Sequence, residues 1–246
     1  MKTVAPTIAG KEFFSTVRSF SFLSSIVATA ALAAAVGMLL RAISPAASGE
    51  RASRMVESIL LSSPLLAAVV SCGAMSRCRA DGSLETLLAA PVTDAEVVVG
   101  KFLAAFGLCL AGSVSIAAIW MVSSDLAGFA PLAGAELALG GAGLAAIASA
   151  QAFWCAAGLF FALLFRRESG AIASTLALAV VTAAVSSGDL PVSSPGDLLS
   201  RFDLVEFSLG IGDSRPLFAF VSATAFFLFA AVRLLESRAW LLRSNR

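Results

Sequence analysis

Long apolar runs, each closed by charged or polar residues, alternate with short polar connections along this chain. An α-helix needs about 20 apolar residues to cross roughly 30 Å of hydrocarbon, and a backbone in lipid must satisfy its own hydrogen bonds. Runs of this length therefore predict membrane-spanning helices. The first covers about Phe22 to Leu40, between Arg18 and Arg41. The second, about Ser58 to Ser76, contains Pro64, so a kink is expected there. The carbonyl that proline leaves free is one that neighbouring helices and serine hydroxyls take up. The third runs from about Ala95 to Val122, with Lys101 close enough to its start to snorkel to the interface. The apolar stretch 131–165 exceeds what a bilayer requires, and the fourth span is placed at about Gly141 to Phe165. The fifth covers about Ala171 to Ser187 and the sixth about Pro216 to Leu235.

Ahead of the first span, Phe13, Phe14, Val17 and Phe20 recur at helical spacing, while Lys11, Glu12 and Arg18 fall largely on other faces. This pattern predicts an interfacial helix on the inner leaflet. The plainer reading is that these residues lengthen the first span. Trp240, past the sixth span, is expected to anchor at the same interface. The predicted fold class is all-α. It comprises one polytopic membrane domain over residues 1–246, with six transmembrane helices, the N-terminal interfacial helix and a short cytoplasmic helix between spans 2 and 3.

Composition supports the membrane assignment. With 59% hydrophobic and 13% charged residues, the chain has too little polar surface to clothe a soluble globule. Charge then sets direction. If the termini and the loops after spans 2 and 4 lie inside, only Arg41, Arg51, Arg54, Arg201 and Arg215 of the seventeen basic residues lie outside. The positive-inside rule places both termini in the cytoplasm. The basic residues are scattered rather than gathered into a stripe, so no nucleic-acid partner is expected. The N-terminal 20 residues carry charges and polar groups and lead into no small-residue cleavage site. The first span is therefore expected to remain in the mature protein.

The candidate chemistry is sparse. Histidine is absent, which removes His-based zinc sites and the Ser-His-Asp and Cys-His nucleophile systems. Of Cys72, Cys78, Cys109 and Cys155, three lie in apolar stretches without CxxC or metal-ligand spacing, and they read as buried free thiols. Gly100 and Lys101 do not make a P-loop, because Phe102 follows and Ala95 stands where the upstream glycine belongs. No carboxylate, Lys or Arg occupies the centre of a span, which argues against a self-powered transporter. Gln151 is the strongly polar exception. A hydrogen bond to a neighbouring helix is the favoured role, against lining a path. Gly140, Gly141 and Gly143 suit close helix packing rather than phosphate binding. Asp189, Asp197, Arg201, Asp203, Glu206 and Asp213, in the predicted external segment, read as solvated loop charges, since no nucleophile or fixed spacing accompanies them. No enzymatic activity is expected of the chain, and no cofactor.

One inner segment carries a sharper signal. Asp81, Gly82 and Ser83 turn the chain and cap a short helix whose Leu84, Leu87 and Leu88 form one apolar stripe, and Pro91 ends it. Thr93 and Glu96 then have the spacing of a capping box at the start of span 3. Such a helix either docks in a groove on a partner and passes displacement to the attached spans, or packs on the protein's own inner surface.

The run Asp81, Gly82, Ser83, Leu84, Glu85, Thr86, Leu87, Leu88, followed by Ala90, Pro91, Val92 and then Gly100 and Lys101, resembles the ABC-2 type permeases. These are membrane subunits of ATP-binding-cassette transporters. Further on, Ser200, Arg201, Phe202 and Asp203, then Gly210 and Asp213, then Arg233 to Trp240 look like the gliding-motility-associated branch. Ala-rich spans and the lack of tyrosine depart from that branch. The resemblance implies an exporter in a bacterial inner membrane, with a separate ATPase subunit docking on loop 77–100. Asp81, Gly82, Leu84, Glu85, Leu87, Leu88 and Pro91 would then be coupling residues. It further implies that ATP and Mg²⁺ are held by that partner. A second permease copy or homologue, membrane lipid and an accessory extracytoplasmic subunit complete the expected partners. Haem-exporter and copper-maturation permeases share a similar inner loop, and a non-transport membrane scaffold is the alternative of a different kind. The Ala, Leu, Val and Phe walls suit a lipid-like cargo but specify none.

Overall fold

The computed structural model describes residues 51–80, 93–126, 140–165, 167–186 and 214–244, and these form five helices. They are α1 (Arg51–Ala80), α2 (Asp94–Leu126), α3 (Gly140–Leu164), α4 (Glu168–Ser186) and α5 (Arg215–Ser244). No strand occurs among the described residues. The expected interfacial helix, the first span and the short Leu-rich helix lie outside them.

Among the described residues, three stretches are long and apolar enough to cross a bilayer: Asp94–Ala118, Gly143–Leu164 and Arg215–Ser237. The apolar parts of the other two helices are shorter, Ile59–Met75 in α1 and Glu168–Thr182 in α4. The first is short for a local reason. Arg51, Arg54, Glu57, Arg77 and Arg79 flank it, so the helix continues past its apolar centre at both ends.

Pro64 sits inside α1 without ending it. Proline has no N–H to give the carbonyl of residue 60. The Ser63 hydroxyl donates to that Leu60 oxygen at 2.6 Å, which closes the gap from within the same turn.

The helices pack around α3, which touches all four others. Its neighbours hold fixed registers. Towards α1, Gly143 lies against Val56 and Gly158 against Ser71, so the two helices run parallel along a seam of small residues. Towards α2, Cys155 meets Cys109 and Gln151 meets Ser113, an antiparallel register. Towards α5, Phe153 packs edge-on to Phe220 at 5.2 Å and Phe160 meets Phe227 at 5.6 Å, a parallel register with a seven-residue step. That step is two helical turns, which keeps the aromatic pairs on one stripe. Such alternation is what successive crossings of one chain produce.

The core is built largely from small side chains, including Ala67, Ala105, Ala146, Ala150, Cys109 and Cys155, with Leu66, Leu108, Phe153 and Trp154 filling the spaces between. Lipid offers no hydrophobic drive between helices, so close backbone approach and dispersion must supply the attraction, and small residues permit it. On the periphery, Phe218, Val221, Phe226 and Phe229 of α5 are exposed. An apolar outer face of this kind is matched to hydrocarbon, not to water.

Candidate functional site

The described residues that bear on function lie at the start of α2 and along its contact with α3. Asp81, Gly82, Leu84, Glu85, Leu87, Leu88 and Pro91 fall outside the described residues. Their neighbours on both sides do not. α1 runs through Ala80 and α2 begins at Asp94, so the two helices bracket the whole segment.

The start of α2 is closed by reciprocal bonds. The Thr93 amide donates to Glu96 Oε2 at 3.1 Å, and the Glu96 amide donates to Thr93 Oγ1 at 3.3 Å. The Thr93 hydroxyl also donates to Glu96 Oε2 at 3.0 Å. Two backbone donors with no helical partner are thereby satisfied, and a carboxylate sits at the positive end of the helix dipole. The first turn of α2 is held locally, whatever precedes it.

Lys101 departs from the expectation. Its place near the start of the span suits snorkelling to the interface, but the side chain is only 2% exposed. The reason is its position on the helix face. Val97, Ala104, Ala105 and Leu108 are all buried, and Lys101 lies four residues from both Val97 and Ala105, in the middle of the stripe turned towards the bundle. It is engaged in an interaction there.

Further along α2 a polar seam faces α3. Gln151 is fully buried, and its Nε2 donates to Ser113 Oγ at 2.8 Å. The Ser113 proton is committed to the Cys109 carbonyl at 3.0 Å, so the hydroxyl has only a lone pair to offer and the glutamine must present its N–H. Gln151 thus ties two helices together, the role its sequence position favoured. Its Oε1 is buried without a hydrogen-bond partner. One turn away, Cys155 and Cys109 meet with their sulfurs 3.4 Å apart, and both are free thiols. The apolar runs around these cysteines account for their burial but not for their pairing. No local signal links positions 46 residues apart.

A third contact adds to the picture. Cys72 Sγ donates to the Gly158 carbonyl at 3.6 Å, joining α1 to α3 where the missing Cβ of Gly158 lets the helices close. Among the described residues, no three His, Cys, Asp or Glu side chains converge as metal ligands would.

Among the described residues, an all-helical bundle with three apolar helices of spanning length, tied internally by Ser, Gln and Cys contacts and apolar on its outer face, defines a multi-pass membrane protein. The sequence model of the ABC-2 family transporter proteins matches residues 6–190. The chain belongs to that family and is an ABC permease by its membrane domain. The match takes in α1 to α4, the segment between α1 and α2, and the residues ahead of α1; α5 lies beyond it. A search of curated proteins finds no match.

Proposed function

We propose that the chain is the permease subunit of an ABC-2 type exporter, with six spans and both termini in the cytoplasm of a bacterial inner membrane. A separate ATPase docks on loop 77–100 and supplies the energy. The observation that carries this reading is the family match across the α1–α2 segment, together with a rigidly capped α2 immediately after it. A helix whose first turn is fixed transmits a push on the preceding loop along its length instead of fraying. Leu84, Leu87 and Leu88 provide the docking stripe, Asp81, Gly82 and Ser83 its entry turn, Glu85 a polar edge and Pro91 its end. ATP and Mg²⁺ belong to the partner. The permease pairs with a second copy or a homologue, and the likeness of the motifs around Ser200 to Asp203 and Arg233 to Trp240 to the gliding-motility-associated branch supports that branch as its nearest kin.

Co-purification tests this directly. Detergent-extracted protein is expected to retain a Walker-motif ATPase, and Leu84→Asp, Leu87→Asp or Leu88→Asp is expected to release it while the permease stays folded. Copurification of no ATPase, combined with intact function in all three variants, would defeat the proposal.

A further inference from the structure

Cys109 and Cys155 bring their sulfurs to 3.4 Å from two different helices. Both thiols are free and fully buried. Their pairing is held in register by the Gln151–Ser113 hydrogen bond one turn away along each helix, so neither helix slides past the other without breaking it. A single buried cysteine acts as a small inert hydrophobe. Two held face to face are different. The gap of 3.4 Å closes to a disulfide bond of about 2.05 Å by side-chain rotation and a small helix adjustment.

We propose that this pair is an oxidation site inside the membrane, closed to a disulfide by hydrogen peroxide, and that the bond locks α2 to α3. Both sulfurs are fully buried, which bars a bulky, charged disulfide and leaves a small neutral oxidant as the class that fits. In the first step one thiol gives up its proton as its sulfur attacks peroxide and the O–O bond breaks; one oxygen stays on sulfur as a sulfenic acid and the other leaves with that proton as water. In the second step the facing sulfur displaces the sulfenic oxygen, which leaves as water with the remaining thiol proton as the S–S bond forms. Two thiols are oxidised and one peroxide is reduced to two waters. The site itself needs no assumption about function. Its consequence rests on the permease reading: α2 follows the docking segment directly, and α3 is the helix that every other described helix touches.

The test uses the full chain in lipid nanodiscs, treated with hydrogen peroxide or with oxidised glutathione. Remaining thiols are then alkylated under denaturation and the protein is digested without reductant for mass spectrometry. After peroxide, the peptides containing Cys109 and Cys155 are expected joined, at a mass about 2 Da below their sum for the two hydrogens lost. The joined species disappears on dithiothreitol treatment and is absent in Cys109→Ser and Cys155→Ser. Oxidised glutathione is expected to give none. Recovery of both cysteines as separate alkylated peptides, separate oxidation to sulfinic acids, or bridging to Cys72 or Cys78 overturns the site. Equal closure by glutathione overturns the oxidant class. In the ATPase-bound complex, the peroxide-treated wild type is expected to lose ATP-driven turnover and regain it with dithiothreitol, while Cys109→Ser keeps it throughout. A bridge that forms without that loss overturns the lock and leaves the permease reading standing. An ATPase that never binds, by contrast, counts against the permease reading and leaves the mass result unaffected.

Discussion

The hydroxyl of Ser63 donates at 2.6 Å to the carbonyl of Leu60, the acceptor that Pro64 cannot serve. Its neighbour Ser62 makes a similar bond, to Ile59 at 3.0 Å, but the Ile59 carbonyl faces the ordinary N–H of Ser63 one turn on. The two serines therefore differ in consequence. Ser63→Ala leaves a half-buried carbonyl without its donor and is expected to cost about 1 kcal/mol, whereas Ser62→Ala is expected to cost about 0.5 kcal/mol or less. Adding Pro64→Ala restores the missing N–H, so the double variant Ser63→Ala/Pro64→Ala should recover most of the loss. Thermal unfolding in detergent reads all four proteins. Equal melting temperatures for the two single serine variants would refute the assignment.

Gly158 and Gly112 face side chains of different freedom, a short serine held close at its Cβ and the far end of a leucine. A Cβ at Gly158 would overlap the Ser71 hydroxyl, with Ser71 Cβ at 3.3 Å and the Ala67 carbonyl oxygen at 3.5 Å behind it. A Cβ at Gly112 would meet only the end of the Leu66 side chain, at 2.8 Å. Gly158→Ala is expected to destabilise by about 1–3 kcal/mol through overpacking, and Gly112→Ala by less, because Leu66 can change rotamer. Ser71→Gly should rescue Gly158→Ala. A rescue that fails in the unfolding assay would show that the α1–α3 seam is not the cause.

The Ser113–Gln151 bond predicts an asymmetry between its two ends. Gln151→Leu removes an unsatisfied buried oxygen along with the bond, and Ser113 keeps its own bond to Cys109. That variant is expected within about 1 kcal/mol of the wild type, on either side. Ser113→Ala instead strands the whole amide in the bundle and is expected to cost about 1–3 kcal/mol. Chemical or thermal unfolding of both variants decides it, and a Gln151→Leu protein less stable than Ser113→Ala contradicts the geometry.

At the entrance of α2, Thr93→Ala removes the hydroxyl that accepts from the Glu96 amide. A loss of about 1 kcal/mol is expected, with Thr93→Ser retaining most of the stability. If α2 carries the push from a docked ATPase, the same substitution also lowers ATP-driven turnover relative to Thr93→Ser. Hydrogen exchange at the amides of residues 94–97 provides the structural check, and unchanged protection in Thr93→Ala would mean that the cap is not what holds the first turn.

Much of this protein was legible in the chain because its determinants are local. Uninterrupted apolar runs bounded by charge mark helices in lipid, and α2 to α5 begin and end within a few residues of the expected spans except at the C-terminal end of α5. The compensation of Pro64 by a serine and the bonds between Thr93 and Glu96 depend on residues one to four apart, which one helical turn brings together. The favoured helix-contact role of Gln151 followed from a polar amide having nowhere else to go in hydrocarbon. Tertiary structure alone chose its partner, Ser113, because that choice depends on the rotation and register of two helices. For the same reason it alone brought Cys109 to Cys155, set the aromatic ladder between α3 and α5, and turned Lys101 inward. A 3.6-residue period defines which residues share a face. Which neighbour that face meets is decided only when the helices pack.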